Sequence, residues 1–350
     1  MKASVRELLR IDRPVLQAPM SGVQGSALAV AVSNAGGLGA LPAAMLSLEA
    51  LRAELEALRS GTSRPYNVNF FCHVPPTPDA ARAVAWRQRL APYYHELGID
   101  PGTATAGGAR VPFGPELADA LEPFRPPVVS FHFGLPAPDL LARVKRWGAT
   151  VLSTATTVEE ARWLEAHGAD AIVAQGLEAG GHRGMFLTED VTTQVGLMAL
   201  LPQVVRAVRV PVIAAGGIAD AQGVAAAVAL GAAGVQAGTA YLLCPEATTS
   251  AVHRAALQGE AARHTALTNV FSGRPARGIV NRLMREQGYL SPAAPPFPLA
   301  GSAVAPLRSA AERRGRGDFS PLWSGQNASG CRAVPAAEVT RALAAGLPER

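Results

Sequence analysis

Short runs of apolar, often β-branched residues alternate along this chain with longer segments in which apolar positions recur at helical spacing. That alternation predicts repeated βα units built around a parallel sheet. Eight strands are predicted, at residues 15–19, 39–41, 66–71, 128–133, 150–155, 171–175, 210–215 and 234–242. Helices are predicted between them, at residues 27–34, 48–59, 138–147, 158–167, 195–208 and 221–230. The count and the alternation favour an α/β fold of the (β/α)8 TIM-barrel type over an open doubly wound sheet.

Two segments do not follow the repeat. Residues 73–127 are too many for an ordinary βα connection, and they include a helix-like stretch at 78–97. The residues after the last predicted strand combine a helical region at 247–263 with a proline-rich tail. We therefore predict a barrel over residues 1–245, which contains the 73–127 insert, and a smaller C-terminal lobe over residues 246–350. The insert and the lobe are expected to cover the barrel mouth.

Composition limits the possible functions. Apolar residues make up 49% of the 350 positions and charged residues 17%, as in a compact globular protein. The net charge of +5 is mild and the basic residues are not interleaved with aromatic ones, so no nucleic-acid surface is predicted. The uncharged stretches 22–48 and 224–244 contain turn-forming residues, and neither is predicted to span a membrane.

The amino terminus carries charges where a signal peptide would be apolar, so a cytoplasmic location is expected. Cys72, Cys244 and Cys331 have no metal-binding spacing and are predicted to be free thiols. The chain is expected to be a monomer or a homodimer.

The residues at the carboxyl ends of the predicted strands decide the chemistry of a barrel. Here they are Pro19, Met20, Pro42, Asn69, His132, Thr154, Gln175, Gly216, Gly217, Gly238 and Thr239. None is a carboxylate or a lysine, which disfavours a glycosidase and a Schiff-base aldolase. His132 stands apart from the other histidines along the chain, so no metal site is predicted.

The most informative segment is the glycine-rich loop after the sixth predicted strand, because it holds a single histidine, His182. An imidazole has an ordinary pKa near ~6.5 and can accept a proton at neutral pH. The glycines around it would let a flat ligand approach the backbone. His182 is our candidate catalytic residue, against the alternative that it is an exposed loop histidine.

The glycines at Gly216 and Gly217 and the run Gln236–Thr239 offer backbone N–H groups where barrels commonly hold a phosphate. Asn69 and Gln175 can exchange hydrogen bonds with a polar ring edge. Each feature alone could be a tight turn or a satisfied buried amide. Together, at the expected strands, they favour flavin mononucleotide (FMN) as the cofactor.

Several motifs resemble the nitronate monooxygenase family, formerly called 2-nitropropane dioxygenase. They are QAPM at 17–20, YNVNF at 66–70, QGLEAGGHRG at 175–184, AGGI at 215–218, GVQAGT at 234–239 and FSGRPARG at 271–278. The Ser-Gly-Arg-Pro segment, the long insert and the tail LWSGQ at 322–326 resemble the first, larger class of the family. The stretch SGVQGS at 21–26 differs from the commoner family version, and PPFPL at 295–299 lacks a tyrosine that many relatives have.

The resemblance implies FMN-dependent oxidation of alkyl nitronates by O2 to a carbonyl compound and nitrite, without NAD(P)H. Propionate 3-nitronate would be a physiological substrate. The implied cofactor contacts are Met20, Asn69, Gln175, Gly180, Gly217, Gln236, Ala237, Gly238 and Thr239. His182 matches the family's catalytic base, which is needed when the substrate is a neutral nitroalkane. His132, Arg274 and Trp323 are either near the substrate or structural.

Three other functions are compatible with parts of this pattern. An FMN-dependent NAD(P)H:quinone reductase or enoyl-acyl carrier protein reductase could use the same barrel and a similar histidine loop, and its flavin would be reduced by NAD(P)H. A relative of IMP dehydrogenase would need a cysteine nucleophile in its active-site loop, and residues 176–184 contain none. A binding or structural barrel would be colourless and would not take up FMN.

Overall fold

The computed structural model describes residues 4–100, 102 and 110–348. Eight parallel strands form one sheet: β1 Val15–Gln17, β2 Gly39–Pro42, β3 Tyr66–Phe71, β4 Val128–His132, β5 Thr150–Ala155, β6 Ala171–Gln175, β8 Val212–Ala215 and β9 Gly234–Ala237. Their order is β1-β9-β8-β6-β5-β4-β3-β2, and a parallel bridge between Leu16 and Leu38 brings the two outer strands together. The predicted (β/α)8 TIM barrel is confirmed.

Three short strands form a second, antiparallel sheet: β7 Gly181–His182, β10 Thr265–Thr268 and β11 Ala276–Ile279. The helices are α1 Val5–Leu9, α2 Ser26–Asn34, α3 Leu48–Gly61, α4 Ala80–Leu97, α5 Pro115–Leu121, α6 Pro138–Arg146, α7 Val158–Ala166, α8 Leu197–Ala207, α9 Ala221–Ala229, α10 Ala251–Gln258, α11 Arg282–Gln287, α12 Ala300–Glu312 and α13 Ala336–Ala344. Side chains cap several of these helices. The Thr157 hydroxyl accepts from the N–H of Glu160 at α7, and the Asp220 carboxylate accepts from that of Gly223 at α9.

The barrel interior is apolar at one end and polar at the other. Leu16, Val128 and Ile213 pack with Val5 and Leu9 of α1, which closes the amino-terminal end of the barrel. Toward the carboxyl ends of the strands, polar side chains replace apolar ones. They are Asn69, Ser130, Thr154, Gln175 and Gln236. The fold therefore places its polar interior positions at the end where barrels carry their active sites.

The insert and the C-terminal region share a hydrophobic core. The indole N–H of Trp86 on α4 donates to the Ala300 carbonyl at 3.2 Å, and the Tyr94 hydroxyl donates to the Ala303 carbonyl at 2.6 Å. Helix α13, in contrast, packs against α2 and α9 of the barrel, where Thr340 lies 3.0 Å from the Tyr241 hydroxyl. The division of the chain near residue 245 stays a prediction, and α13 belongs to the outer layer of the barrel.

The eighth barrel strand is shorter than its apolar run predicted. It ends at Ala237, because Gly238 leaves the extended conformation with φ −115° and ψ −67°. A 3₁₀ helix, Thr239–Tyr241, then buries Ala240 and Tyr241. A buried turn and a buried strand look alike in a continuous apolar run, so the sequence pattern did not separate them.

No helix within the described ranges is both long enough and apolar enough to cross a membrane.

Candidate active site

One cavity opens at the carboxyl ends of the barrel strands, and every predicted site residue lines it. These are Met20, Asn69, Gln175, Gly180, His182, Gly217, Gln236, Ala237, Gly238 and Thr239. They come from five barrel strands and the loops that follow them, and Met20 and Thr239 are 219 positions apart. The fold thus brings the predicted residues together, while the role of each remains a prediction.

The loop that carries His182, residues 176–184, is held from two sides and is called the histidine loop below. On the barrel side, the Gln175 amide donates to the His182 carbonyl at 3.0 Å, and its oxygen accepts from the N–H of Gly184 at 2.8 Å. On the other side, β7 pairs with β11, so that His182 lies opposite Ala276. Because both sides use backbone hydrogen bonds, the position of His182 is fixed by the scaffold rather than by its own side chain.

Arg183, the residue after the histidine, is fully buried and binds the start of the loop. Its guanidinium donates to the carbonyls of Gln175 and Gly176, both at 2.7 Å, and to the Gln194 side chain at 2.9 Å. Burial lowers the pKa of Arg183 to about 10, so the side chain stays charged at neutral pH. Through these hydrogen bonds the buried Arg183 side chain joins the end of the loop to its start and fixes the loop conformation.

The imidazole of His182 contacts one hydroxyl and is surrounded by rings. Its Nε2 lies 2.9 Å from Oγ of the buried Ser272, whose hydroxyl also donates to the Arg274 carbonyl at 3.3 Å. When the Ser272 hydroxyl donates to the Arg274 carbonyl, Oγ accepts the N–H of Nε2, and in that tautomer Nδ1 is the nitrogen that can take a proton. Rings of Phe297 and Trp323 lie 5.4 and 5.5 Å from the imidazole centroid.

Burial holds the pKa of His182 well below its usual value, and the positive charge of Arg110 lowers it further. His132 lies beneath the loop, with Nε2 donating to the His182 carbonyl and Nδ1 facing the Thr154 hydroxyl, each at 3.2 Å. Burial lowers the pKa of His132 to about 4, as it does for His73. All three imidazoles are therefore neutral at physiological pH.

The loops after β8 and β9 form a pocket of backbone N–H groups. Gly216 and Gly217 have φ of +122° and +70°, and a Cβ on Gly216 would lie 3.2 Å from two backbone atoms. Among the described residues, the N–H groups of Gly217, Gly238 and Thr239 donate to no protein acceptor. The three residues are half-buried and line the cavity, so their free N–H groups can donate to an anion such as a phosphate.

Two amides face the rest of the cavity. The Asn69 nitrogen donates to the Ser130 hydroxyl at 2.8 Å, which leaves its oxygen available. The Gln236 side chain makes no hydrogen bond to any part of the protein that the structure describes, although it lines the cavity. These groups fit the donors and acceptors along the edge of a flat heterocycle.

Close backbone packing explains why residue 180 is a glycine. A Cβ at this position would lie 2.5 Å from the Gly325 nitrogen, because the segment 322–326 passes directly over it. Gly325 in turn donates to the Thr239 hydroxyl at 2.9 Å. The glycine is required by this backbone crossing, and its predicted contact with the cofactor stays a prediction.

Comparison with known proteins identifies the family. The sequence model of the nitronate monooxygenase family matches residues 2–346. A nitronate monooxygenase from Pseudomonas aeruginosa is 45% identical over 341 residues, which is 96% of either chain. The chain belongs to the nitronate monooxygenase family. It is thus an oxidoreductase, and the flavin dependence of nitronate monooxygenases points to a flavin cofactor.

Solved structures agree with this membership. A nitroalkane oxidase from Streptomyces ansochromogenes superimposes with a TM-score of 0.88 at 40% identity, covering 98% of this chain and 97% of that one. FabK from Thermotoga maritima is more distant, with a TM-score of 0.70 at 27% identity over 98% and 95% of the two chains. Nitronate monooxygenases act on small-molecule nitronates, and the structural similarity covers the cavity as well as the barrel.

Several residues at or beside the cavity have no distinguishing signal in the sequence. Phe71, Arg110 and His253 belong to the cavity lining, whereas Ser272 and Phe297 lie against the His182 imidazole. Ser272 lies in a motif that the sequence did mark, but its contact with His182 depends on pairing between β7 and β11. His132 and Trp323, which the sequence predicts to be either structural or near the substrate, both line the cavity. The guanidinium of Arg274 stacks over the Phe133 ring, with its carbon 4.1 Å from the ring centroid.

Proposed function

We propose that this chain binds FMN in the barrel cavity and uses O2 to oxidise alkyl nitronates to a carbonyl compound and nitrite, without consuming NAD(P)H. Propionate 3-nitronate is the proposed physiological substrate. The observation that carries the proposal is the neutral imidazole of His182 at the cavity, with its Nε2 2.9 Å from the Ser272 hydroxyl. The family membership supports the reaction class.

The residues of the cavity fit FMN. The free N–H groups of Gly217, Gly238 and Thr239 would hold the phosphate. Asn69, Gln175 and Gln236 would face the ring edge, although the Gln175 amide already uses part of its capacity on the histidine loop. Met20 lines the same cavity and would lie beside the ring. Bound FMN would supply the electron-accepting chemistry that amino-acid side chains lack.

His182 would act only on neutral substrates. Its Nδ1 would accept the proton from the carbon that bears the nitro group, and Ser272 would keep Nε2 protonated during that step. A preformed nitronate has already lost this proton and needs no base. The rings of Phe71, Phe297 and Trp323 around His182 would keep water away from the reacting carbon.

The first test is anaerobic spectroscopy of the purified protein. We expect a bound flavin spectrum that changes on addition of propionate 3-nitronate and does not change with NADH or NADPH. Admission of O2 should then yield nitrite in proportion to the nitronate consumed. Bleaching by NAD(P)H alone would replace the proposal with a reductase, and a colourless protein that does not take up FMN would favour a binding module.

A further inference from the structure

The cavity lining is positively charged. Among the described residues that line it, Arg110 is the single side chain charged at neutral pH, because the lining histidines have lowered pKa values and no carboxylate or lysine is present. The cavity therefore carries one positive charge and no acidic group to balance it.

Within the described ranges, no carboxylate pairs with Arg110. Its guanidinium carbon lies 5.3 Å from the centroid of the Phe297 ring, and burial alone lowers its pKa, with no nearby carboxylate to offset the effect. Arg110 is half-buried, and a partly buried cation without a counter-ion loses hydration that no acidic group among the described residues replaces. An anionic group on the ligand would remove this cost and form charge-assisted hydrogen bonds.

Arg110 also lies close to the reacting end of the cavity. The Phe297 ring that it covers is itself 5.4 Å from the His182 imidazole, so the two groups flank the same ring. After burial, the charge of Arg110 is the largest influence on the imidazole. A ligand whose nitronate carbon is at His182 would thus place a substituent a few bonds away near the guanidinium.

We infer that Arg110 is a specificity-determining residue that pairs with a carboxylate on the substrate, and that it selects carboxylate-bearing nitronates over nitronates with an uncharged chain. This inference rests on the proposed function. A carboxylate-bearing nitronate has two negative charges, and the inference assigns recognition of the carboxylate to Arg110. The planar guanidinium suits a carboxylate, which can accept two parallel N–H groups from it.

The test compares two substrates of the same carbon count, propionate 3-nitronate and propyl 1-nitronate, by nitrite release. For Arg110→Gln we expect the KM for propionate 3-nitronate to rise roughly 10- to 100-fold, the range for hydrogen bonds to a charged group. The KM for propyl 1-nitronate should change by less than about 3-fold, because that chain offers no carboxylate to the arginine. Arg110→Lys should restore part of the difference.

Arg263→Gln is the matched control, because Arg263 is 79% exposed and pairs with Glu260 on the surface. It removes one positive charge and should leave both KM values unchanged. An equal rise of both KM values in Arg110→Gln would mean that the arginine binds the nitronate group common to both substrates, and would overturn the inference. So would unchanged values for both.

A binding measurement separates this inference from the proposed function. Succinate has two carboxylates and no nitro group, so its binding does not depend on nitronate chemistry. Calorimetric titration should give a dissociation constant at least about 10-fold higher for Arg110→Gln than for the parent. Equal succinate binding would overturn the inference even if nitronates are oxidised. Loss of binding in the variant would support it even if they are not.

Discussion

The imidazole of His182 is neutral, and no described residue of the cavity lining is a carboxylate, so His182 is the group best placed to take a proton there. We expect His182→Asn to lower nitrite release from neutral nitroalkanes by roughly 100- to 10,000-fold, the usual contribution of a general base. Turnover of preformed nitronates should fall far less, because no proton is removed. Equal activity of variant and parent on a neutral nitroalkane would contradict the assigned role, and retained FMN content is the control for folding.

The lowered pKa of His182 also predicts a pH dependence. A base is active only when unprotonated, and burial keeps this imidazole unprotonated well below pH 6.5. The rate with a neutral nitroalkane should therefore stay level as the pH falls through 6.5, and decline only in more acidic buffer. Arg110→Gln should shift that decline to higher pH, because the variant removes a positive charge that disfavours protonation. A decline centred near pH 6.5 in the parent would show that His182 is solvated instead.

At the scale of elements, the glycine turn after β8 is the clearest test of the phosphate position. Gly217 has φ +70°, and we expect Gly217→Val to weaken FMN binding because the side chain both strains the turn and crowds the free N–H groups. Gly148→Val is a matched control, since Gly148 has φ +87° and open space around it, far from the cavity lining. FMN affinity, measured by fluorescence titration, should fall in the first variant and not in the second. Equal affinities would show that the phosphate lies elsewhere.

The elements also show what the sequence could predict. The barrel strands were recognised because each is a local apolar run with turn residues at its ends, and parallel strands buried on both faces have that pattern. Ser272 was not recognised as a partner of His182, because 90 residues separate them and their contact depends on the pairing of β7 with β11. Phe297 likewise reaches the histidine from the C-terminal region. Non-local packing of this kind has no periodic signal along the chain.

At the scale of the whole molecule, buried histidines link stability to pH. Burial lowers the pKa values of His73, His132 and His253 to about 4, from 6.5 in an unfolded chain. Between these pH values the unfolded state binds more protons than the folded state, so the free energy of unfolding decreases as the pH falls. The stabilisation is complete above pH 6.5, and by pH 4 the loss is on the order of 3 kcal/mol for each histidine.

We therefore expect the urea midpoint of the protein, measured at a fixed saturating FMN concentration, to fall steadily between pH 6.5 and pH 4.5. Of the three histidines, His253 is the one to replace, because its ring N–H donates to the Trp323 carbonyl at 3.1 Å and a glutamine amide can also donate there. His253→Gln removes one titrating group, so its midpoint should depend less steeply on pH than that of the parent. A parent midpoint that stays constant over this range would mean that these imidazoles gain protons as readily in the folded protein as in the unfolded one. The neutral state assigned to the histidines around the cavity would then be wrong as well.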